Sequence, residues 1–260
     1  MRASAVLVLT LAGLVLAGCG APVGPEGRNQ LLQANQAYVR GDDNTAIAVS
    51  TTFLQQNEHS LEAAEGYYIR GLARERAKQT DAARSDFTSA LKLSKRKDLT
   101  TRIHFELGNI AFDCGDQNTA QSEYAQVVAE GPKNQPPTDE AMYRLGHIMQ
   151  CQGKWRQADE YFDKLMHNFP GSAPAKLAAN RVRAVRWSIQ VGAYRDDRSG
   201  RQLEASLRRD GFAPREDREL RNGQLLRLIR VGSYATYDAA NADLPRAQQH
   251  SSDACIVAAR

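Results

Sequence analysis

The sequence predicts a mixed fold: an all-α helical-repeat solenoid followed by a small α+β domain, β-α-β-β-α-β, with a four-stranded antiparallel sheet. Three observations predict it. Ala46, Ala83, Ala120 and Ala158 recur at intervals of 37, 37 and 38 residues, the self-similarity of a repeat array. The phrase Ser188-Ile189-Gln190-Val191-Gly192-Ala193-Tyr194 returns forty residues on as Leu228-Ile229-Arg230-Val231-Gly232-Ser233-Tyr234. Both copies suit strands covered on one face only. Asn222-Gly223 stands just before the second copy, a strong hairpin signal.

Residues 1–18 read as a targeting segment, excluded from the fold. Met1 and Arg2 precede an apolar run, Ala3 to Ala17, too short to span a bilayer. Leu16-Ala17-Gly18-Cys19 resembles the lipobox of bacterial lipoproteins; the plainer alternatives are an ordinary secretory signal with a chance cysteine, or an uncleaved anchor. The resemblance implies cleavage before Cys19, a covalent lipid on its thiol and an acylated amino terminus. Several acyl chains anchor stably, at about 0.8 kcal/mol per buried methylene. Gly20 follows the cysteine rather than Asp, which in that family favours the outer membrane. Residues 19–27, with their Pro and Gly, read as a lipidated flexible tether. With 42% hydrophobic residues and no second long apolar run, the remainder suits one or two domains that hang from a membrane without crossing it. A net charge of +4 is too small to argue for nucleic acid.

Residues 28–185 form the array. Ala34, Gly71, Gly108 and Gly146 keep the period, as do Gly41, Lys78, Gly115 and Gly153, and Ser50, Phe87, Tyr124 and Phe162. A small residue in each first helix lets the second approach closely, and glycine between them supplies a left-handed cap. Pro132 and Pro170 end second helices. The units resemble tetratricopeptide repeats, the last two best: Leu107-Gly108, Gly115-Asp116, Ala120, Tyr124 and Pro132, then Leu145-Gly146, Gly153-Lys154-Trp155, Ala158, Phe162 and Pro170. The first unit departs, with Ser50 where an aromatic is expected and Phe53 where a small residue is usual, as a degenerate cap would. The period exceeds the family's 34, the excess falling in loops such as 133–138. A helix over 173–183 covers the last open face.

The resemblance implies a concave protein-binding surface. Its inward positions, by period, are Leu31, Tyr68, Phe105 and Tyr143, with Asn35, Leu72, Asn109 and His147 one turn on. Tyr68, Phe105, Asn109, Tyr143 and His147 are the peptide-groove candidates, aromatic for side chains and amide for backbone. The alternative is that these rings pack between helices. No lysine or arginine stands at the aromatic positions, against a carboxylate clamp. Cys114 and Cys151, near the ends of first helices in adjacent units, are either bridged or small buried hydrophobes. The five histidines show no ligand spacing, and no catalytic cluster is legible. The sequence therefore reads as a non-enzyme without metal or other cofactor.

In the terminal domain, residues 186–260, strands are expected over 187–194, 212–220, 224–234 and 254–258. Helices are expected over 199–209 and 237–248, the second broken or shortened by Pro245. Both helices fall on one face of the sheet and leave the other open. This order, with Gln190-Val191-Gly192-Ala193-Tyr194 and Arg230-Val231-Gly232-Ser233-Tyr234, resembles the SPOR (sporulation-related) domain. Leu228, where the family often has arginine, and Pro245 depart from it. The resemblance implies binding of peptidoglycan, preferring glycan strands whose stem peptides have been removed. Strand parity puts Ser188, Gln190, Leu228 and Arg230 on the open face, with Tyr194 and Tyr234 at strand ends. A bulge at either glycine would turn the tyrosines inward. The alternative is a solvated face, with Gln190 and Arg230 merely cross-strand neighbours. Trp187 shares parity with Ile189 and reads as core.

The expected function is a lipid-anchored protein of the cell envelope, at the periplasmic face of the outer membrane. It would join peptidoglycan to one or more envelope proteins during wall remodelling or cell division, touching the membrane through its lipid alone. The alternative is a scaffold in outer-membrane assembly or secretion whose terminal domain contacts protein. RNA-recognition motifs share the strand order, but the export signal and the lack of mid-strand aromatics argue against nucleic acid.

Overall fold

The computed structural model describes residues 21–221 and 223–260. The predicted targeting segment and Cys19 lie outside the described residues, as does Asn222. The chain divides into two units, residues 1–95 and 96–260.

The first unit holds two helical hairpins: α1 (Pro25–Val39) with α2 (Asp43–Asn57), and α3 (Ala63–Arg76) with α4 (Thr80–Leu93). Asp42 caps α2 by accepting from the Thr45 amide. The reversals pass through Gly41, φ +84, and Lys78, φ +63. At Lys78 a non-glycine residue bears a cost of about 1–2 kcal/mol. In the second hairpin Phe87 lies over Gly71, where a Cβ would come within 2.7 Å of the ring. The degenerate hairpin lacks this contact and makes its ring-on-glycine contact with α3 of the next hairpin. Ser50 is buried but small, and Phe53 fills the core instead, seated on Gly66, where a Cβ would meet its ring at 2.6 Å. Asp86, only 3% exposed, is held by Arg70 at 2.7 Å and Arg74 at 2.8 Å, so its charge is not left uncompensated.

The predicted tether is corrected at its far end. Helix α1 begins at Pro25, Val23 is buried in the core with Phe53, and the Val23 amide donates to Glu62 Oε2 at 3.1 Å.

The second unit contains α5 (Lys97–Asp113), α6 (Gln117–Glu130), α7 (Thr138–Cys151), α8 (Trp155–Asn168) and α9 (Ala173–Arg181). The exchange of small for aromatic recurs. A Cβ on Gly108 would meet Tyr124 at 2.7 Å, and one on Gly146 would meet Phe162 at 2.4 Å. Helix α9, capped by Ser172 on the Ala175 amide, packs Ala175 and Ala178 onto Phe162, Leu165 and Phe169. The chain continues through β1 (Arg186–Tyr194), α10 (Asp197–Arg209), β2 (Arg215–Arg221), β3 (Gln224–Tyr234), α11 (Tyr237–Gln248) and β4 (Cys255–Ala259). The sheet is antiparallel in the order β2-β3-β1-β4, so the twin phrases are its central pair. Ile189, Val191, Leu203, Leu207, Ile229 and Val231 form its core with the two helices.

Two expectations are corrected. Helix α11 runs through Pro245 without ending. Pro245 and Asn241, whose carbonyl loses its partner four residues on, are both exposed, so water can satisfy what proline cannot. Cys114 is exposed and Cys151 half-buried, and neither forms a disulfide. Burial pushes the Cys151 thiol up to about 11.

Gly146→Ala should lower the thermal midpoint, at a cost of about 1–3 kcal/mol, because its methyl enters the Phe162 ring. Adding Phe162→Leu should recover part of that loss. A melting curve for Gly146→Ala like wild type would mean that the close approach is not what orders α7 on α8.

Candidate functional site

The central strands place the site. Register runs Trp187↔Tyr234, Ile189↔Val231, Gln190↔Arg230, Gly192↔Ile229 and Tyr194↔Arg227. It shifts between Trp187 and Ile189, where β3 carries the extra residue, and between Gln190 and Gly192, where β1 does. Strand β1 thus bulges at Val191 and β3 at Gly232-Ser233. A bulge reverses parity beyond it, and the tyrosines follow. Tyr194 and Tyr234 both pack on the helix-side core. Tyr194 covers Gly192, where a Cβ would lie 2.6 Å from the ring, and Tyr234 covers Gly232, where it would lie 2.1 Å away. Gly232, at φ +74, must also lack a side chain for its backbone. The Tyr234 hydroxyl donates to Asp243 Oδ2 at 2.8 Å, and burial, then that contact, pushes its pKa up to about 12. Both tyrosines therefore turn from the open face.

Of the four open-face candidates, two are accessible. Ser188 is 5% exposed, and its hydroxyl donates to the Gly232 carbonyl at 3.0 Å. Leu228 is 1% exposed. Neither offers a surface to a ligand, which corrects the expectation from parity alone. Gln190 and Arg230 remain, half-buried cross-strand neighbours lining a cleft of about 790 Å³. Arg230 Nη1 donates to Asp217 Oδ2 at 2.8 Å. Asp217, Arg218 and Glu219 of β2, Asn180 and Arg181 of α9, and Arg260 also face this cleft. Sequence reasoning missed them. Asp217 was within reach: counting back from the hairpin signal pairs it with Leu228, diagonal to Arg230. Asn180 and Arg181 carried no signal, since helix periodicity says nothing of what a helix end faces.

One wall of the cleft depends on Trp187. This core residue is 1% exposed, but it sits against the repeats rather than among the sheet's own apolar residues. Its Nε1 donates to the Gln150 carbonyl at 3.0 Å, and its ring meets Trp155 at 5.5 Å, Tyr237 at 5.3 Å and His147 at 6.3 Å. Gln150, fully buried, donates through Nε2 to the Arg181 carbonyl at 3.0 Å. Arg181 Nη1 donates to the Tyr143 hydroxyl at 3.1 Å, with its guanidinium 5.4 Å from the Trp187 ring.

The groove candidates are each half-buried and engaged. Tyr68 tilts on Phe87 at 5.9 Å, Phe105 on Tyr124 at 6.0 Å and Tyr143 on Phe162 at 6.1 Å. Asn109 accepts from the Tyr124 hydroxyl at 2.8 Å and donates to Glu106 at 3.1 Å. His147 lies between Phe112, Tyr143 and Trp187. These rings pack on their hairpin mates. Among the described residues, no group of three or more His, Cys, Asp or Glu could hold a metal, and no helix is long and apolar enough to cross a membrane.

Fold and site define a class: helical repeats followed by a sheet domain with one polar face open. Comparison with known families gives the particulars. Residues 184–258 match the SPOR domain family, and residues 140–172 match a tetratricopeptide repeat family. The chain thus carries tetratricopeptide repeats followed by a SPOR domain. It is similar to a solved tetratricopeptide repeat protein from Parabacteroides merdae, with 18% identity and a TM-score of 0.53 over 60% of this chain and 59% of that one. It is also similar to MamA, with 21% identity and a TM-score of 0.47 over 55% of this chain and 77% of that one. A search of curated proteins found no match. SPOR domains bind peptidoglycan, tetratricopeptide repeats bind proteins, and both are binding rather than catalytic domains. The SPOR domain associates the chain with the cell envelope.

His147 is pushed down to about 3 from 6.5, by burial first and then by Arg181 and Arg144. Between these values the unfolded chain binds a proton that the folded one does not, so stability falls as pH drops through that window. His147→Phe removes the linkage. Its thermal midpoint relative to wild type should rise as pH is lowered from about 7 to about 4; a difference that does not change with pH would contradict a neutral imidazole in this cluster.

Proposed function

We propose that this chain is a non-enzymatic envelope protein, anchored at the periplasmic face of the outer membrane by lipid on Cys19. It binds glycan strands lacking stem peptides through its SPOR domain and a protein partner through its repeats. The observation that carries the reading is the pair Gln190 and Arg230, adjacent on the open face and both lining the cleft. The Gln190 amide donates and accepts, as sugar hydroxyls and acetamides require. Arg230 gives a donor to Asp217 and, with five N–H groups in a guanidinium, has others to offer. Removal of a stem peptide leaves a lactyl carboxylate on the sugar, a partner for a charge-assisted bond. An intact stem peptide turns that carboxylate into a neutral amide, so this charged partner at the sugar exists only on bare strands.

The repeats supply the second contact, through the half-buried rings of Tyr68, Phe105 and Tyr143 within their own units. A partner held there is carried to wall from which amidases have removed stem peptides, the sites of remodelling and division.

The test is co-sedimentation of the full chain with isolated sacculi, untreated or stripped of stem peptides by amidase. The wild-type chain should bind stripped walls more tightly, and Gln190→Ala with Arg230→Ala should weaken that binding about tenfold or more, with circular dichroism unchanged. Equal retention of the variant and wild-type chains would argue instead for a scaffold whose terminal domain contacts protein.

A further inference from the structure

We propose that the glycan site is composite: helix α9 of the repeat array, with Arg260, forms a second wall, so that one bound strand touches sheet and repeats together. The proposal rests on the glycan reading above. Gln190, Arg218 and Arg230 line the cleft from the sheet, while Asn180, Arg181 and Arg260 line it from the other side. At about 790 Å³ it falls within the range of about 300–1,000 Å³ typical of small-molecule sites. An open sheet face by itself would present a surface rather than an enclosure.

The second wall is held by contacts within the chain. The Val185 amide donates to the Ala259 carbonyl at 2.9 Å, tying the end of the array to β4. Gln150 holds the Arg181 carbonyl, and Tyr143 holds its guanidinium. A ligand therefore need not order this wall, which removes one of the ordinary costs of binding.

The chemistry of the two walls matches. Each offers one amide, Gln190 and Asn180, and an arginine, Arg230 facing Arg260, beside the two acids Asp217 and Glu219; the guanidinium of Arg218 is engaged by Glu216 and that of Arg181 by Tyr143. Asn180 and Arg260 are exposed. Arg260 makes a long contact of 3.5 Å to the Ala179 carbonyl, close to the limit of a hydrogen bond, so its guanidinium is available to a stronger acceptor. A glycan with carboxylates on alternate sugars can pair with both walls at once; a neutral polysaccharide of the same shape cannot. Asn180 and Arg260 are thus specificity-determining residues that lie outside the twin phrases.

The experiment uses the full chain and amidase-stripped sacculi. Asn180→Ala with Arg260→Ala should weaken binding about tenfold at an unchanged thermal midpoint, since both side chains are exposed. Asn180→Arg, which adds a cation to the same wall, should tighten it. If the double variant binds like wild type while Gln190→Ala with Arg230→Ala loses binding, the composite wall is wrong and the sheet alone reads the glycan. If the wild-type chain shows no preference for stripped walls, the glycan reading falls and the composite site with it. Should the double variant melt early, Asn180→Arg decides: tighter binding supports the second wall, and unchanged binding overturns it.

Discussion

The contact between the Trp187 indole and the Gln150 carbonyl joins the first strand of the sheet to the end of a helix. A buried indole N–H must find an acceptor, and the last carbonyls of a helix have no partner within it. Gln150 lies in the final turn of α7; its carbonyl accepts from the Gly153 amide at 2.9 Å and from the indole as well. The same residue's side chain donates to the Arg181 carbonyl at the end of α9, which also accepts from the Ala184 amide at 3.2 Å. One buried glutamine therefore joins two helix ends and the first strand of the sheet. The cleft beside Gln190 exists because this joint fixes α9 against the strands.

Within three of the helical hairpins the governing constraint is volume. An aromatic ring on the second helix needs a residue without a side chain on the first, as Gly71, Gly108 and Gly146 show beneath Phe87, Tyr124 and Phe162. The first hairpin departs from it: Phe53 of α2 sits on Gly66 of α3, in the next hairpin. Its apparent degeneracy in sequence is a displaced solution rather than a lost one. A fixed period reveals a rule only where the same positions obey it, which is why three hairpins were legible and the fourth was read as a cap.

The site was legible in part, for a physical reason. Alternation within a strand identifies Gln190 and Arg230, since both precede or oppose the bulges in correct parity. It misplaces Tyr194, which lies beyond a shift that adds a residue to β1, and Tyr234, beyond the matching shift in β3. The glycines hinted at this, because each sits where a ring must fold back over the strand. Ser188 and Leu228 show a different limit. Parity says which way a side chain points, but burial depends on what the neighbouring strands and loops lay over it. Contacts such as Trp187 with Gln150 join positions far apart in the chain, and no local pattern announces them.

The joint also has an optical consequence. The protein has two tryptophans, Trp155 and Trp187, and their rings lie 5.5 Å apart in this one cluster. All of its indole emission therefore originates where the repeats meet the sheet. Fluorescence of the unlabelled protein reports on this joint alone, with a buried indole hydrogen bond as its reference state.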